Sequence, residues 1–311
     1  MHSAVRAQQL LLPALPTLMM YTMVSTAYHT KRQNTFIRLR HSISRMPDLI
    51  RLIVTAILCL CVPSMAWAAA ISVTLPPLAG LVMMLDVKAD VQCLLPAGAD
   101  PHHFQMQPRT VERLRQSALL IRASRDDGGW PLPPLLDNTL DLWPHKDHGW
   151  VSPAAVRQAL PRIAQALISM QPQQKQRILA RLKQALQQVT QIAAAWRQAL
   201  RQVKLTGVIM QHPAWRRLMQ EMDVPVLSVL ESGHHGQEFG PHRLEQALAT
   251  LNQHPGAWLL ADTGHSATAL NWLAEHSDVP ARRITLNALG VCRQPWDVLM
   301  RDDIQQVDGQ R

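Results

Sequence analysis

The sequence has little that would mark it as an enzyme or as a membrane-embedded chain. It contains no recognisable Ser-His-Asp arrangement, His-Glu-x-x-His motif or nucleophile elbow, so the hydrolytic chemistries built on them have no support. Beyond residue 68, no stretch approaches the roughly 18 apolar residues that a transmembrane helix needs. None of the four cysteines follows a Leu-x-Gly sequence, which argues against a lipid anchor. These absences favour a binding protein over an enzyme.

An export signal begins well inside the sequence. The charged stretch Met46–Arg51 precedes the apolar run Leu52–Pro63, and residues 66–68, Ala-Trp-Ala, have the small-residue spacing of a signal-peptidase site. Residues 1–45 carry no periodic apolar pattern long enough for a domain. We therefore predict a start at Met46, cleavage after Ala68 and a periplasmic mature protein. An uncleaved amino-terminal anchor is the alternative.

Most of the positive charge lies in the predicted leader. Residues 1–68 hold seven Lys/Arg and one Asp, so the remaining chain carries +3 of the formal +9. Nucleic-acid binding requires Lys and Arg clustered on the folded domain, and we expect none. About 243 residues remain, enough for one large core or two small ones. Cys93 and Cys292 could pair in an oxidising compartment, although their separation gives that bridge weak support.

Strands and helices alternate on both sides of one long helix. Short apolar runs alternate with helical stretches over residues 70–122 and 205–286, which is typical of parallel sheets with helices on their faces. Between them, apolar residues recur at three- or four-residue spacing over 178–203 and predict a helix of about 30 residues. The segment 124–150 is predicted as a loop. The expected organisation is a leader, an α/β lobe, a linking helix and a second α/β lobe, at residues 1–68, 69–170, 171–204 and 205–311.

Three histidines occupy separate parts of the chain. His102 and His212 each follow a predicted strand, and His148 lies between the proline-rich loop and the next helix. Ligands of open α/β sheets bind outside the carboxyl ends of the strands. Neutral imidazole nitrogens suit zinc, copper and nickel better than calcium or magnesium. The sequence therefore predicts a transition-metal site in the cleft between the lobes.

The ordered blocks resemble the zinc/manganese substrate-binding proteins of bacterial ABC importers. The resemblance covers about residues 71–290 and includes Leu75–Gly80, Pro96–Phe104 and His148–Pro153. It implies two α/β lobes joined by a long rigid helix, with the metal between them. It also implies Zn²⁺ as the transported ion and delivery to an ABC permease in the inner membrane. We expect a monomer without enzymatic activity. The ligands carried over from the family are His102, His148, His212 and, at the fourth position, Asn287.

Asn287 departs from the family pattern, because the family has an aspartate there. An amide is a neutral and weak ligand, so it compensates less of the charge of the dication. The sequence predicts that an aspartate at position 287 would tighten zinc binding. A water molecule or another carboxylate could also complete the site. The candidates are Asp100, Asp147, Glu231 and Asp262.

Other histidines carry weaker signals. His234 and His235, with Glu238 and His242, form either a solvated loop or a low-affinity patch that collects metal. Three more histidines lie near predicted helix ends, and we expect them at the surface: His254, His265 and His276.

Two other functions stay open. Three histidines with an open position also describe the catalytic zinc of a hydrolase or hydratase. Alternatively, the amide at position 287 suits a divergent binding protein with a weakened metal site. A zinc titration with a parallel esterase or hydration assay separates these functions.

Overall fold

The computed structural model describes four stretches of the chain, residues 70–124, 138–143, 148–231 and 240–310. The predicted leader and the pair His234–His235 lie outside them. Among the described helices, none has both the length and the apolar character that crossing a bilayer requires.

The first lobe is a four-stranded parallel sheet with helices packed against it. Its elements are β1 (Ile71–Val73), α1 (Pro76–Leu85), β2 (Val91–Cys93), α2 (Pro108–Arg115), β3 (Leu119–Ser124), β4 (Thr139–Trp143) and α3 (Pro153–Met170). The strands pair in the order β2-β1-β3-β4. Every residue of the central strand β1 is buried, as expected for a strand covered on both faces.

Strand β4 lies inside the segment that the sequence analysis predicts as a loop, and that prediction is wrong for residues 139–143. The strand forms the edge of the sheet and pairs with β3. Arg122 on β3 donates through Nε and Nη2 to Asp141 Oδ1 at 2.6 Å and Oδ2 at 2.9 Å. A bidentate pair of this kind fixes the register of the two strands through side chains as well as through the backbone.

A long helix joins the lobes, as predicted. After a 3₁₀ turn at Pro172–Gln174, α4 (Lys175–Gln202) runs for 28 residues, about 42 Å. It buries Ile178, Val189 and Trp196 along one face. The helix packs against α1 and α3 of the first lobe and against the carboxyl-terminal helix. It is therefore supported along its length by both halves of the protein.

The second lobe repeats the topology of the first. Its elements are β5 (Val208–Met210), α5 (Arg216–Glu221), β6 (Val226–Val229), α6 (Pro241–Gln253), β7 (Trp258–Asp262), α7 (Thr268–His276), β8 (Arg282–Leu286) and α8 (Trp296–Asp308). The strands are parallel in the order β6-β5-β7-β8. Helix α8 was not predicted from the sequence. The predicted fold, two α/β lobes joined by a long helix, is confirmed.

The lobes are tied together covalently and by hydrogen bonds. A disulfide joins Cys93 at the end of β2 to Cys292 beyond β8, across 199 positions of sequence. Trp150 Nε1 donates to the Ala288 carbonyl at 2.8 Å, and Trp296 Nε1 donates to the Trp150 carbonyl at 2.6 Å. The segment around Trp150 is thus held by the second lobe, although it belongs to the first.

A carboxylate of the second lobe also caps the first turn of α3. Glu221, the last residue of α5, accepts from Ser152 Oγ at 2.6 Å and from the Ala154 N–H at 3.1 Å. Ser152 is the N-cap and accepts from the Ala155 N–H at 3.2 Å. A negative charge at a helix N-terminus is favourable because it meets the positive end of the helix dipole.

Candidate metal centre

The carboxyl ends of β5 and β6 place two functional side chains next to each other. Beyond the strands, the Gln211 N–H donates to the Leu260 carbonyl at 3.0 Å, and the Glu231 N–H donates to the Gln211 carbonyl at 2.8 Å. Gln211 Nε2 also donates to Glu231 Oε1 at 2.7 Å. These hydrogen bonds extend the pairing of the strands as far as Gln211, the residue before His212. His212 and Glu231 therefore have fixed positions at the edge of the sheet.

The structure brings the three predicted histidines together. His212 is 4% exposed, and its Nε2 lies 3.2 Å from His148 Nε2. The ring centroid of His212 is 5.1 Å from that of His148 and also 5.1 Å from that of His102. Side chains separated by more than 40 residues in sequence therefore meet between the two lobes.

The backbone at His148 adopts an uncommon conformation. Its φ of 50° lies in the left-handed region, which costs a non-glycine residue about 1–2 kcal/mol. Gly149 follows, and a Cβ at this position would lie 2.4 Å from Trp143 Cδ2. The ring of Trp150 packs at a centroid distance of 5.0 Å from that of His148. Close packing around the turn therefore holds His148 in a backbone conformation that would be unfavourable in an isolated chain.

His102 lies at the exposed rim of the cluster. Its N–H donates to Asp100 Oδ1 at 2.8 Å, which closes a turn after β2. The neighbouring His103 has a 72% exposed side chain, and its Nε2 lies 3.8 Å from Asp100 Oδ2. Of the two adjacent histidines, it is His102 whose ring contacts the cluster.

Burial favours the neutral form of two of the histidines. It lowers the pKa of His148 well below the ordinary value, and the nearby imidazole of His212 lowers it further. The pKa of His102 is lowered by the same two causes, partly offset by Asp100. A neutral imidazole is the form that binds metal, so these side chains are poised for a cation.

His265 also belongs to the cluster, and the expectation that it lies at the surface was wrong. Its side chain is 12% exposed, and its ring stacks on His212 with centroids 4.2 Å apart and an interplanar angle of 15°. His254 and His276 are exposed, as expected. The position of His265 in the sequence could have identified it as a site residue, because it follows the carboxyl end of β7 just as His212 follows that of β5.

Glu231 joins the two stacked histidines. Its Oε2 lies 3.3 Å from the Nδ1 atoms of both His212 and His265. Burial alone would raise the pKa of Glu231, but the hydrogen bonds from these histidines and from Gln211 hold it far below the ordinary range. Burial opposes protonation of His265, yet the bond to Glu231 and the charge of Asp262 raise its pKa above the usual value.

These three residues have the spacing of a metal-binding group. One ligand atom from each of His212, Glu231 and His265 lies within 4.8 Å of those of the other two. Imidazole and carboxylate together suit borderline divalent ions.

The side chain of Asn287 closes a turn. Its Oδ1 accepts from the Leu289 N–H at 3.2 Å and from the Gly290 N–H at 2.8 Å. Its own N–H donates to Asp303 Oδ1 at 2.8 Å. The amide oxygen that would face a metal is thus engaged by the backbone, and a ligand role for Asn287 stays a prediction.

The carboxylates suggested as substitutes differ in their surroundings. Asp262 is buried and accepts from the Ala288 N–H at 3.2 Å, so it holds the same turn as Asn287. Asp100 is engaged by the backbone of its own loop. Asp147 lies outside the described residues. Among the described candidates, Glu231 is the one whose carboxylate contacts the imidazole of a predicted ligand, His212.

Comparison with known families gives a match over nearly the whole described chain. The family profile described as zinc-uptake complex component A, periplasmic (ZnuA) matches residues 71–306. The high-affinity zinc uptake system protein ZnuA of Yersinia pestis is 23% identical over 269 residues, which is 72% of this chain and 84% of that protein.

Solved structures share the fold at low sequence identity. A crystal structure of ZnuA superimposes with a TM-score of 0.67 at 19% identity, covering 78% of this chain and 98% of that one. The Cd-bound periplasmic metal-binding protein from Candidatus Liberibacter asiaticus gives a TM-score of 0.67 at 12% identity, covering 78% and 100%. The protein FpvC from Pseudomonas aeruginosa, in complex with Ni²⁺, gives 0.64 at 18% identity, covering 78% and 96%.

Proposed function

Because the chain belongs to the family of periplasmic zinc-uptake components, we propose that it captures Zn²⁺ and delivers it to an ABC importer. Membership of this family makes it a metal-capturing substrate-binding protein, and the family is not one of enzymes. We propose His102, His148 and His212 as the residues that hold the ion.

The observation that carries this proposal is the distance between two imidazole nitrogens. In tetrahedral zinc sites the Zn–N bonds are about 2.0–2.1 Å, so two nitrogen ligands lie about 3.3–3.4 Å apart. His148 Nε2 and His212 Nε2 are 3.2 Å apart. A zinc ion could therefore bridge the two nitrogens with little movement of either ring.

The donor set supports zinc over harder ions. Imidazole nitrogens bind zinc, nickel and copper well, whereas manganese and magnesium prefer oxygen. The burial that lowers the pKa of His148 keeps its imidazole neutral near neutral pH, so a proton does not compete with a metal ion there.

Location and partner belong to the same proposal. The family is periplasmic. We propose export through the segment 46–68 with cleavage after Ala68, and docking on a permease in the inner membrane. Intact-mass measurement of the exported protein tests the cleavage, and a product that retains residues 1–45 would contradict it.

Zinc titration against a competing chelator tests the metal site. We expect one zinc per chain, and a loss of affinity of at least about 100-fold in each of His102→Ala, His148→Ala and His212→Ala, since even loss of an orienting partner costs 10- to 100-fold. Affinity should fall as pH drops below about 6.5, because protons compete for the imidazoles, and the lowered pKa values of His102 and His148 move their share of this loss to more acidic pH. The exposed His254→Ala is the matched control. Zinc binding by the triple variant as tight as that of the unmodified protein would overturn the assignment.

The enzymatic alternative is tested on the same samples. The zinc-loaded protein should hydrolyse no activated ester and hydrate no carbon dioxide above the rate of free zinc. Turnover that disappears in the triple variant would favour a hydrolase or hydratase instead.

A further inference from the structure

We propose that His265 is a fourth imidazole ligand of the captured cation and that Glu231 orients both His265 and His212, an inference that rests on the proposed function. The metal would then be held by nitrogen atoms of four histidines. Glu231, which is not itself a ligand, would supply the negative charge. The side-chain oxygen of residue 287 would not bind the ion.

The hydrogen bonds of Glu231 assign its role. Its Oε1 accepts from Gln211 Nε2 at 2.7 Å, and its Oε2 lies 3.3 Å from the Nδ1 atoms of His212 and His265. Both oxygens are therefore occupied by donors. A carboxylate engaged in this way is suited to orient ligands more than to bind the ion itself.

This arrangement selects one tautomer for each of the two rings. A neutral imidazole carries one N–H, and a carboxylate acceptor at Nδ1 places it there. The lone pair is then on Nε2. Metal-binding histidines commonly donate their other N–H to a carboxylate in this manner, which fixes the ring and increases the basicity of the ligand atom. His212 Nε2 is also the atom that lies 3.2 Å from His148 Nε2.

Position and packing make His265 a partner of the same site. Its ring lies face to face with that of His212, and its centroid is 6.2 Å from that of His102. One ligand atom of His265 lies within 4.8 Å of those of His212 and Glu231.

The charge of Glu231 replaces what Asn287 lacks. A dication bound by neutral imidazoles keeps its full charge, which is costly in a partly buried cleft. Glu231 has a 16% exposed side chain and contacts two of the proposed ligands. Its charge therefore acts at short range, and the donor atoms remain nitrogens. Such a site should favour zinc, nickel and copper strongly over manganese.

Zinc and manganese titrations of His265→Ala, His265→Asp and Glu231→Gln test this inference. We expect His265→Ala to weaken zinc binding by at least about 100-fold, and Glu231→Gln to weaken it by about 10- to 100-fold. His265→Asp should lower the ratio of zinc to manganese affinity, because it replaces a nitrogen donor with oxygen. The exposed His276→Ala is the control, and its affinity should not change.

A spectroscopic measurement separates a ligand from a structural residue. In long-range ¹H–¹⁵N spectra of the zinc-loaded protein, four imidazoles should show a metal-bound ring nitrogen, and His265→Ala should leave three. Tight zinc binding in the unmodified protein and in both His265 variants, with three bound imidazoles, would overturn this inference and leave the proposed function intact. Absence of zinc binding in the unmodified protein would overturn both.

Discussion

The side chain of Asn287 is held by two backbone N–H groups, and an aspartate has the same shape and the same acceptor. If His265 and Glu231 complete the site, Asn287→Asp should change zinc affinity by less than about threefold, because Glu231 already compensates the ion and the oxygen at position 287 stays bound to the backbone N–H groups. Zinc titrations of both proteins at fixed pH and salt measure this. The control Gln184→Glu adds the same charge to an exposed position of α4. Tightening of tenfold or more would support the sequence-based prediction that residue 287 faces the metal.

Asp303 is a buried carboxylate whose charge state should govern part of the pH dependence of stability. Burial raises its pKa to about 8, against the hydrogen bond from the Asn287 N–H and with help from Asp262 and Asp302. Between pH of about 4 and 8 the folded protein therefore binds more protons at this site than the unfolded chain does. Its contribution to stability is present at low pH and is lost as pH rises through this range.

The variant Asp303→Asn should remove this loss. We expect Asp303→Asn to raise the free energy of unfolding relative to the unmodified protein. This increase should be larger by several kcal/mol, about 4 at most, at pH of about 8.5 than at about 5. Urea unfolding at both pH values measures the difference. Asp90→Asn, at an exposed position away from Asp303, is the control. An equal difference at the two pH values would mean that Asp303 is ionised throughout.

Single residues of the site differ in how far the sequence predicts them. His212 follows β5 almost at once and His102 follows β2 after a short loop, so their place at the sheet edge could be inferred from apolar runs. Glu231 and His265 follow the same edge, but their contacts depend on the order of strands β6-β5-β7 and on the length of each turn. Sequence patterns do not encode these quantities, because strand order is decided by packing over long distances.

The tight turn between β4 and α3 should be sensitive to a single added carbon. In Gly149→Ala, the new Cβ would meet the indole of Trp143, which is buried and donates to the Ala155 carbonyl at 3.2 Å. We expect a loss of about 1–3 kcal/mol of stability, because overpacking a rigid site forces the backbone to shift. Zinc affinity should fall as well, since His148 precedes this residue.

Chemical denaturation and zinc titration measure both effects of Gly149→Ala. The control is Gly240→Ser, where an added Cβ meets open space at the N-cap of α6 and serine is a favoured residue. A Gly149→Ala protein with unchanged stability and zinc affinity would show that the turn can relax without moving His148.

At the level of elements, buried strands and long amphipathic helices were predictable, whereas two elements were missed. Strand β4 is an edge strand of only five residues, held partly by the pair Arg122–Asp141, so its apolar signal is weak. Helix α8 was not recognised, although it buries Trp296, Met300 and Ile304. Its partners, α1 and α4, come from earlier parts of the chain.

The disulfide across the lobes should contribute strongly to stability. Closing a loop of about 200 residues lowers the entropy of the unfolded chain by an amount worth about 5 kcal/mol, and measured effects are commonly 2–4 kcal/mol. We expect the double variant Cys93→Ser/Cys292→Ser to lose about 2–5 kcal/mol in urea unfolding. The reduced unmodified protein should match it.

The same double variant should still bind one zinc, because neither cysteine is one of the proposed ligands. Unfolding midpoints that are identical with and without reductant in the unmodified protein would show that Cys93 and Cys292 are not bonded. A variant that no longer binds zinc would show that the bridge also positions the ligands.

Two covalent attachments between the lobes restrict the way in which the protein can release its ion. A rigid body that is pinned at one point can swing in any direction, but one pinned at two separated points can only turn about the line that joins them. Here the two attachments are α4 and the disulfide between Cys93 and Cys292. Relative motion of the lobes is therefore limited to rotation about this line, and a movement that separates them on all sides is excluded. We therefore expect the ion to leave through a rotation about this axis or through displacement of the rim, where His102 is exposed.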